Sequence, residues 1–177
     1  MISESVLWKN ELLRIANRLE RRYNQKKWTT RSRYLLEREL FLGCFCVRKL
    51  MDSNVVAAEV LRSHIDVMAY PVKNEPHVVT SLHIIAQRYD LFRGYKKSLR
   101  FREVCDQFIH SSIFCPFTPI GESLVGIYIA SDRVKNSYLY YIMLVKIIEI
   151  FRAAGNNMPK NLKVNYDEAS QQYVILP

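Results

Sequence analysis

A chain of 177 residues, 49% of them hydrophobic, suits one domain, or one domain with a small appendage, and can bury a proper core, which excludes a disordered tail. Twenty-six Lys and Arg against 17 Asp and Glu leave a formal charge of +9, so the partners this charge selects are polyanions: nucleic acid first, an acidic protein or anionic lipid second. The most apolar stretch, Tyr138 to Ile150, is interrupted by Lys146 and Glu149 and falls short of the ~18 residues of a membrane span. Glu4, Lys9 and Glu11 stand where a signal peptide would carry its apolar segment, so the expectation is a cytoplasmic protein that does not engage a membrane.

From Ser5 to about Tyr23, Leu12, Leu13, Ile15, Ala16 and Leu19 recur at helical spacing with Arg14, Arg18, Arg21 and Arg22 on the other side, which predicts a basic amphipathic helix. Asn24 to Trp28 is a polar, cationic connector, and Thr29 or Thr30 can cap a second helix. That helix should run from Arg31 to about Asp52 on a face of Leu36, Leu40, Cys44, Val47 and Met51, with Gly43 marking a close approach to a neighbouring helix. Ser53-Asn54 signals a turn, Ala57 to Leu61 a short helix, and Ser63 to Tyr70 alternates as a strand does. Pro71, Asn74 and Pro76 make a loop, a helix follows from about Val79 to Leu91, and Gly94 stops it. Ser98 reads as the cap of the next helix, which ends before Pro116.

Beyond Pro116 and Pro119 the texture changes. Leu124 to Ala130 and Tyr138 to Met143 are rich in β-branched and aromatic residues, and with Asp132 to Ser137 as the turn they predict a hairpin. Leu144 to Ala154 returns to helical spacing and stops at Gly155-Asn156-Asn157; Leu162 to Tyr166 and Gln172 to Leu176 then flank Asp167 to Ser170 as a final hairpin. The expected fold class is α+β: a mostly helical N-terminal two-thirds, residues 1–115, and a small C-terminal part of hairpins and one helix, residues 116–177, packed on the same core.

The segment richest in chemistry is Arg102 to Ser111, which sets Arg102, Asp106 and His110 four residues apart on one helical stripe, across from Phe101, Val104, Cys105, Phe108 and Ser112. These three are the candidate catalytic residues: Asp106 orients His110, His110 moves a proton, and Arg102 steadies a phosphate. The same residues also fit a solvated face, where an i,i+4 pair contributes about 0.2–0.5 kcal/mol and a His gains from the helix C-terminus. Arg14, Arg18, Arg21, Arg22, Lys26 and Lys27, interleaved with Tyr23 and Trp28, form one candidate nucleic-acid-binding set, and Lys96, Lys97 and Arg100 form a second just before the stripe. His64, His77 and His83 have no acidic neighbour at useful spacing. Cys44, Cys46, Cys105 and Cys115 lie in apolar runs, as reduced core thiols do, with no Cys-x-x-Cys pair, so no metal is expected. No Gly-rich phosphate loop, nucleophile elbow or His-Glu-x-x-His is present, which removes P-loop hydrolysis, α/β-hydrolase chemistry and zincin proteolysis and leaves no cofactor motif.

A basic helical chain with an Arg and then a His near the end of a late helix resembles the HEPN superfamily, small all-helical proteins of defence and toxin systems, many of them metal-independent ribonucleases. The resemblance rests on Arg102, Asp106 and His110 and covers at most the first 115 residues. Seven residues separate Arg102 from His110, more than the family motif has, and Arg62-Ser63-His64 has one. What it implies is a homodimer whose His-bearing helices face each other across a composite cleft and cut RNA through its own 2′-hydroxyl. If only the fold is shared, it implies a non-catalytic binding relative. The expected function is therefore engagement of nucleic acid, RNA ahead of DNA, with a metal-independent ribonuclease as its sharpest form. The alternative is a non-enzymatic subunit that docks an acidic protein through the basic N-terminal helix.

Overall fold

Leucine, isoleucine and alanine three and four residues apart drive the first two helices together. The computed structural model describes residues 2–73, 82–119, 123–157, 163–167 and 172–176. Helix α1 (Ile2–Tyr23) buries Leu12, Ile15, Ala16 and Leu19 along one stripe, and α2 (Thr30–Asp52) runs back against it with Leu36, Leu40, Cys44, Val47 and Met51. Thr29 opens α2 with a reciprocal cap: its hydroxyl accepts from the Ser32 N–H at 3.2 Å and its own N–H donates to the Ser32 hydroxyl at 2.7 Å. After α2, Asn54 turns the chain at φ 53°, a left-handed conformation that Asn tolerates.

The chain continues through α3 (Ala58–Arg62), β1 (His64–Pro71), α4 (Leu82–Arg88), β2 (Tyr95–Arg100), α5 (Phe101–Ile109) and β3 (Ser111–Phe117). It then forms β4 (Gly126–Ser131), β5 (Tyr138–Met143), α6 (Leu144–Asn156), β6 (Lys163–Asp167) and β7 (Gln172–Leu176). Strands β1 to β5 make one antiparallel sheet in the order β2-β1-β5-β4-β3, while β6 and β7 pair with each other. One face of the large sheet, with Ile65, Val67, Ala69, Leu99, Ile127, Ile129, Tyr140 and Ile142, packs under α1, α2, α5 and α6. The opposite face gathers Ile113, Tyr128, Ala130 and Leu139 around Ile85 of α4 and Tyr89. Among the described residues no helix is long and apolar enough to cross a membrane.

The α+β class stands, but the N-terminal two-thirds is not the mostly helical block its periodicity predicts. Strands β1 and β2 lie wholly within it, and β1 pairs directly with β5 through Met68–Tyr141 to Pro71–Tyr138. Ser98 caps no helix; it lies in β2 opposite Asp66 of β1, and α5 begins only at Phe101, where the Glu103 carboxylate accepts from the Arg100 N–H at 2.7 Å. The alternation of Tyr95, Lys97 and Leu99 is disguised because Lys97 takes an inward place, its amine lying 5.1 Å from the Tyr138 ring and 5.5 Å from the Tyr140 ring. Ser111 to Cys115, expected as the end of a helix that stops before Pro116, belong instead to edge strand β3, the position where a sheet accepts a residue such as Pro116. The helix expected from Val79 is α4, Leu82–Arg88; Val79 itself, with Asn74, Pro76 and His77, lies outside the described residues, as do Leu162 and the turn from Glu168 to Ser170.

Gly43 is the point where α2 and α6 meet, since any Cβ built there overlaps the buried Phe151 ring. Gly43→Ala gains about 1 kcal/mol of helix propensity, yet the overlap with a ring that has nowhere to move costs more, of the order of 1–3 kcal/mol for overpacking. The expected outcome is a lower urea midpoint than the parent. A raised midpoint would show that α6 shifts freely and that the contact does not fix the helix layer.

Candidate nucleic-acid interface and the cleft beside α5

Helix α5 buries Phe101, Val104, Cys105, Gln107 and Phe108 and turns Arg102, Asp106 and His110 outward, as the stripe requires. The three do not converge. Arg102 reaches back to α2 and pairs with Asp52 at 2.9 Å, while Asp106 takes a hydrogen bond from Arg48, which also approaches Asp52 at 3.8 Å. The carboxylate expected to orient His110 is therefore held by an arginine of α2.

His110 is exposed at the C-terminal end of α5, and its N–H donates to the Asp106 carbonyl at 3.1 Å. With Asp106 it lines a cleft of about 720 Å³ whose floor is Lys97, Leu99 and Tyr140 and whose far wall is the turn at Asp132 and Arg133. The acid that His110 influences is Asp132. Its carboxylate accepts from Lys135 Nζ at 2.6 Å and Ser112 Oγ at 2.8 Å; these bonds, with a smaller pull from His110, hold it below the usual carboxylate range. On the floor, Lys97 Nζ donates to the Tyr140 hydroxyl at 3.1 Å, which raises the ammonium pKa despite some burial. Asp132 escapes a helical wheel because only the pairing of β4 with β3 on one side and β5 on the other carries its turn to α5.

The expected cationic set divides by partner. Glu39, in the middle of α2, is 3% exposed and takes Arg22 Nε at 2.6 Å and Arg18 Nε at 3.3 Å; Arg18 and Arg14 also meet Glu11, at 2.9 and 3.6 Å. Arg14, Arg18 and Arg22 are thus turned to carboxylates of the protein itself. Arg21, Lys26 and Lys27 remain exposed with no carboxylate partner among the described residues, and Arg31, Arg33 and Arg38 of α2 extend them. Lys96 and Arg100 are exposed on β2, apart from Lys97 in the cleft.

Beside the α2 cations lies a second concavity of about 330 Å³ between α2 and the junction of α5 with β3, lined by Tyr34, Arg38, Phe41, Phe108, Phe114 and also Glu37 and Ser111. Tyr34 is 59% and Phe41 46% exposed, while Phe108 and Phe114 meet edge to face beneath them at 6.5 Å. Arg33 stands close enough to β3 to oppose the upward push that burial gives the Cys115 thiol. Tyr34, Phe41 and Phe45 fall outside the Leu36, Leu40, Cys44, Val47 and Met51 face of α2 and stay exposed, and large aromatic residues off the apolar face are the signal that marks this surface.

Cys44, Cys46 and Cys105 are buried; burial and contact with Cys105 raise the Cys44 pKa, and burial pushes Cys46 to about 11, so Cys44 and Cys46 stay protonated. No group of three or more His, Cys, Asp or Glu among the described residues is placed to hold a metal ion. His64 is exposed, and His77 lies outside the described residues. Compared with known proteins, the chain matches no family model, and no curated protein or solved structure is significantly similar to it.

Because the Asp132 pKa is lower folded than unfolded, its stabilisation is present above the unfolded value and is lost as pH falls through the lowered folded value. Lys135→Ala removes the first cause of that shift. The Asp132 carboxyl resonance is expected to titrate at higher pH in the variant, back towards the usual range, and the acid-side loss of stability assigned to this turn should shrink. An unmoved titration would mean that Ser112 alone holds the carboxylate.

Proposed function

We propose that the protein engages RNA through the cationic face formed by the end of α1, the connector and the first half of α2. The observation that carries this is the division of the basic residues: Arg18 and Arg22 are seated on the buried Glu39, whereas Arg21, Lys26, Lys27, Arg31, Arg33 and Arg38 are exposed and unpaired among the described residues. A cation already seated on a carboxylate displaces few counterions from a phosphate, so binding falls to the second group. Exposed aromatic side chains between these cations favour RNA, whose unpaired bases offer faces to stack, over a closed DNA duplex. Docking of an acidic protein on α1 is less well supported, because that helix gives Arg18 and Arg22 to Glu11 and Glu39.

The sharper form of this reading is metal-independent cleavage in the manner of the HEPN superfamily, within a defence or toxin system. Its support is the exposure of His110 on the wall of a cleft that also holds Asp132 and Lys97. In that chemistry His110 takes the proton of the attacking 2′-hydroxyl or gives one to the leaving 5′-oxygen. Arg102 serves the phosphate only by leaving Asp52.

Affinity for single-stranded RNA is expected to fall steeply with salt, with a log–log slope approaching about −4 if all six cations engage. Arg33→Ala with Arg38→Ala should flatten that slope by about 1.4. Salt-insensitive binding, or none, would remove the RNA reading and favour a protein partner. For catalysis, RNA cleavage in EDTA by the parent and its loss in folded His110→Ala is the expected result; equal cleavage by both, or cleavage by neither, would leave a binding protein.

A further inference from the structure

We infer that the concavity between α2 and the α5–β3 junction is a stacking site for unpaired bases of a single-stranded nucleic acid, which rests on the RNA-binding reading and gives it strand selectivity. Tyr34 and Phe41 stand two helical turns apart on the rim of α2, a span of about 10 Å along the axis. Between them Arg38 offers a charge, Arg33, next to Tyr34 in the chain, offers another outside the lining, and Phe114 closes the floor. Each element has a chemical counterpart in a single strand: aromatic faces for bases, and guanidinium groups for the phosphates joining them. A duplex cannot use the aromatic part, because its bases are already stacked inside.

Charge separates this occupant from others. The lining holds one carboxylate, Glu37, and the neighbouring unpaired groups are arginines, so the anionic partner is favoured over a second copy of this basic chain. Volume points the same way, since about 330 Å³ lies at the small end of the roughly 300–1,000 Å³ of ligand pockets and suits one or two bases better than a protein helix.

Ser111 lines the concavity and His110, its neighbour in the chain, lines the cleft, so the two hollows flank the α5–β3 junction.

The test is fluorescence anisotropy with a short single-stranded oligoadenylate RNA and an RNA duplex of equal length, using the full chain. Tyr34→Ala and Phe41→Ala should each weaken single-strand binding by about 5- to 100-fold and leave duplex binding unchanged. Phe41→Leu, which keeps apolar bulk without an aromatic face, should lose most of the same affinity; both positions are exposed, and unchanged melting temperatures verify folding. Retained single-strand affinity in these variants, alongside weakened binding of both probes by Arg33→Ala with Arg38→Ala, would overturn the stacking site while the RNA reading survives. A parent that binds neither probe overturns both. Self-association of the parent in sedimentation velocity, abolished by Phe41→Ala without any change in RNA affinity, would assign the concavity to a dimer interface instead.

Discussion

The carboxylate of Glu39 governs much of what surrounds it. Burying an anion at 3% exposure in the middle of a helix costs several kcal/mol unless cations accompany it, and both cations come from the neighbouring helix, Arg18 and Arg22. The two-pronged contact from Arg22, with Nε at 2.6 Å and Nη2 at 3.2 Å, fixes rotation as well as distance, so α1 has one register on α2. At the other end of α1 the buried Lys9 amine donates at 2.8 Å to the carbonyls of both Val55 and Asn157, which ties α1 to the segments following α2 and α6. With α1 fixed at both ends, α6 packs on it, and α2 is left touching α1, α5 and α6 at once. The clasp also decides the electrostatic surface: it draws Arg18 and Arg22 inward and leaves exposed cations at the connector and on α2.

Elements whose pattern is set by local contacts were readable from residues alone. The stripes of Leu12, Ile15, Ala16 and Leu19, and of Leu36, Leu40, Cys44 and Val47, report burial that any partner would satisfy, and α1, α2, α6, β4 and β5 follow such patterns. β2 and β3 did not, because their pattern depends on neighbours far along the chain. Lys97 is tolerated facing inward only because Tyr138 and Tyr140 arrive from β5, and Tyr95–Arg100 becomes a strand only because β1 offers it an edge. A lysine in an apolar slot and a proline in a strand both argue against β structure until the tertiary partners are known.

The candidate site divides in the same way. That Arg102, Asp106 and His110 share a stripe follows from helix geometry; what each one meets does not. The partners Asp52 and Arg48 come from α2, and Asp132 comes from a turn that the sheet carries to α5. A helical wheel lists which residues look outward and is silent on who stands opposite. The cationic set was legible as composition, but its separation into neutralised and free members hinged on Glu39, a charged residue in a position that looks solvated in sequence and is buried in the fold.

The ion pairs around α5 differ in how firmly they hold, and this ranks the cations a phosphate could recruit. Arg102 and Asp52 are 51% and 49% exposed, so their pair is a surface bridge worth about 0–1 kcal/mol and weakened further by salt. Arg48 is only 22% exposed and serves Asp106 with a direct hydrogen bond, so releasing it would leave a half-buried carboxylate without its cation. A phosphate arriving beside α5 therefore takes Arg102 from Asp52 long before it takes Arg48 from Asp106. Asp106 is the fixed anchor of α5 on α2, Gln107 anchors the same turn to the sheet by accepting from the Ser131 N–H at 3.1 Å, and His110 projects from a turn held on both sides. Arg102 is the one member of the stripe with freedom to change partner, and it can do so without moving the helix that positions His110.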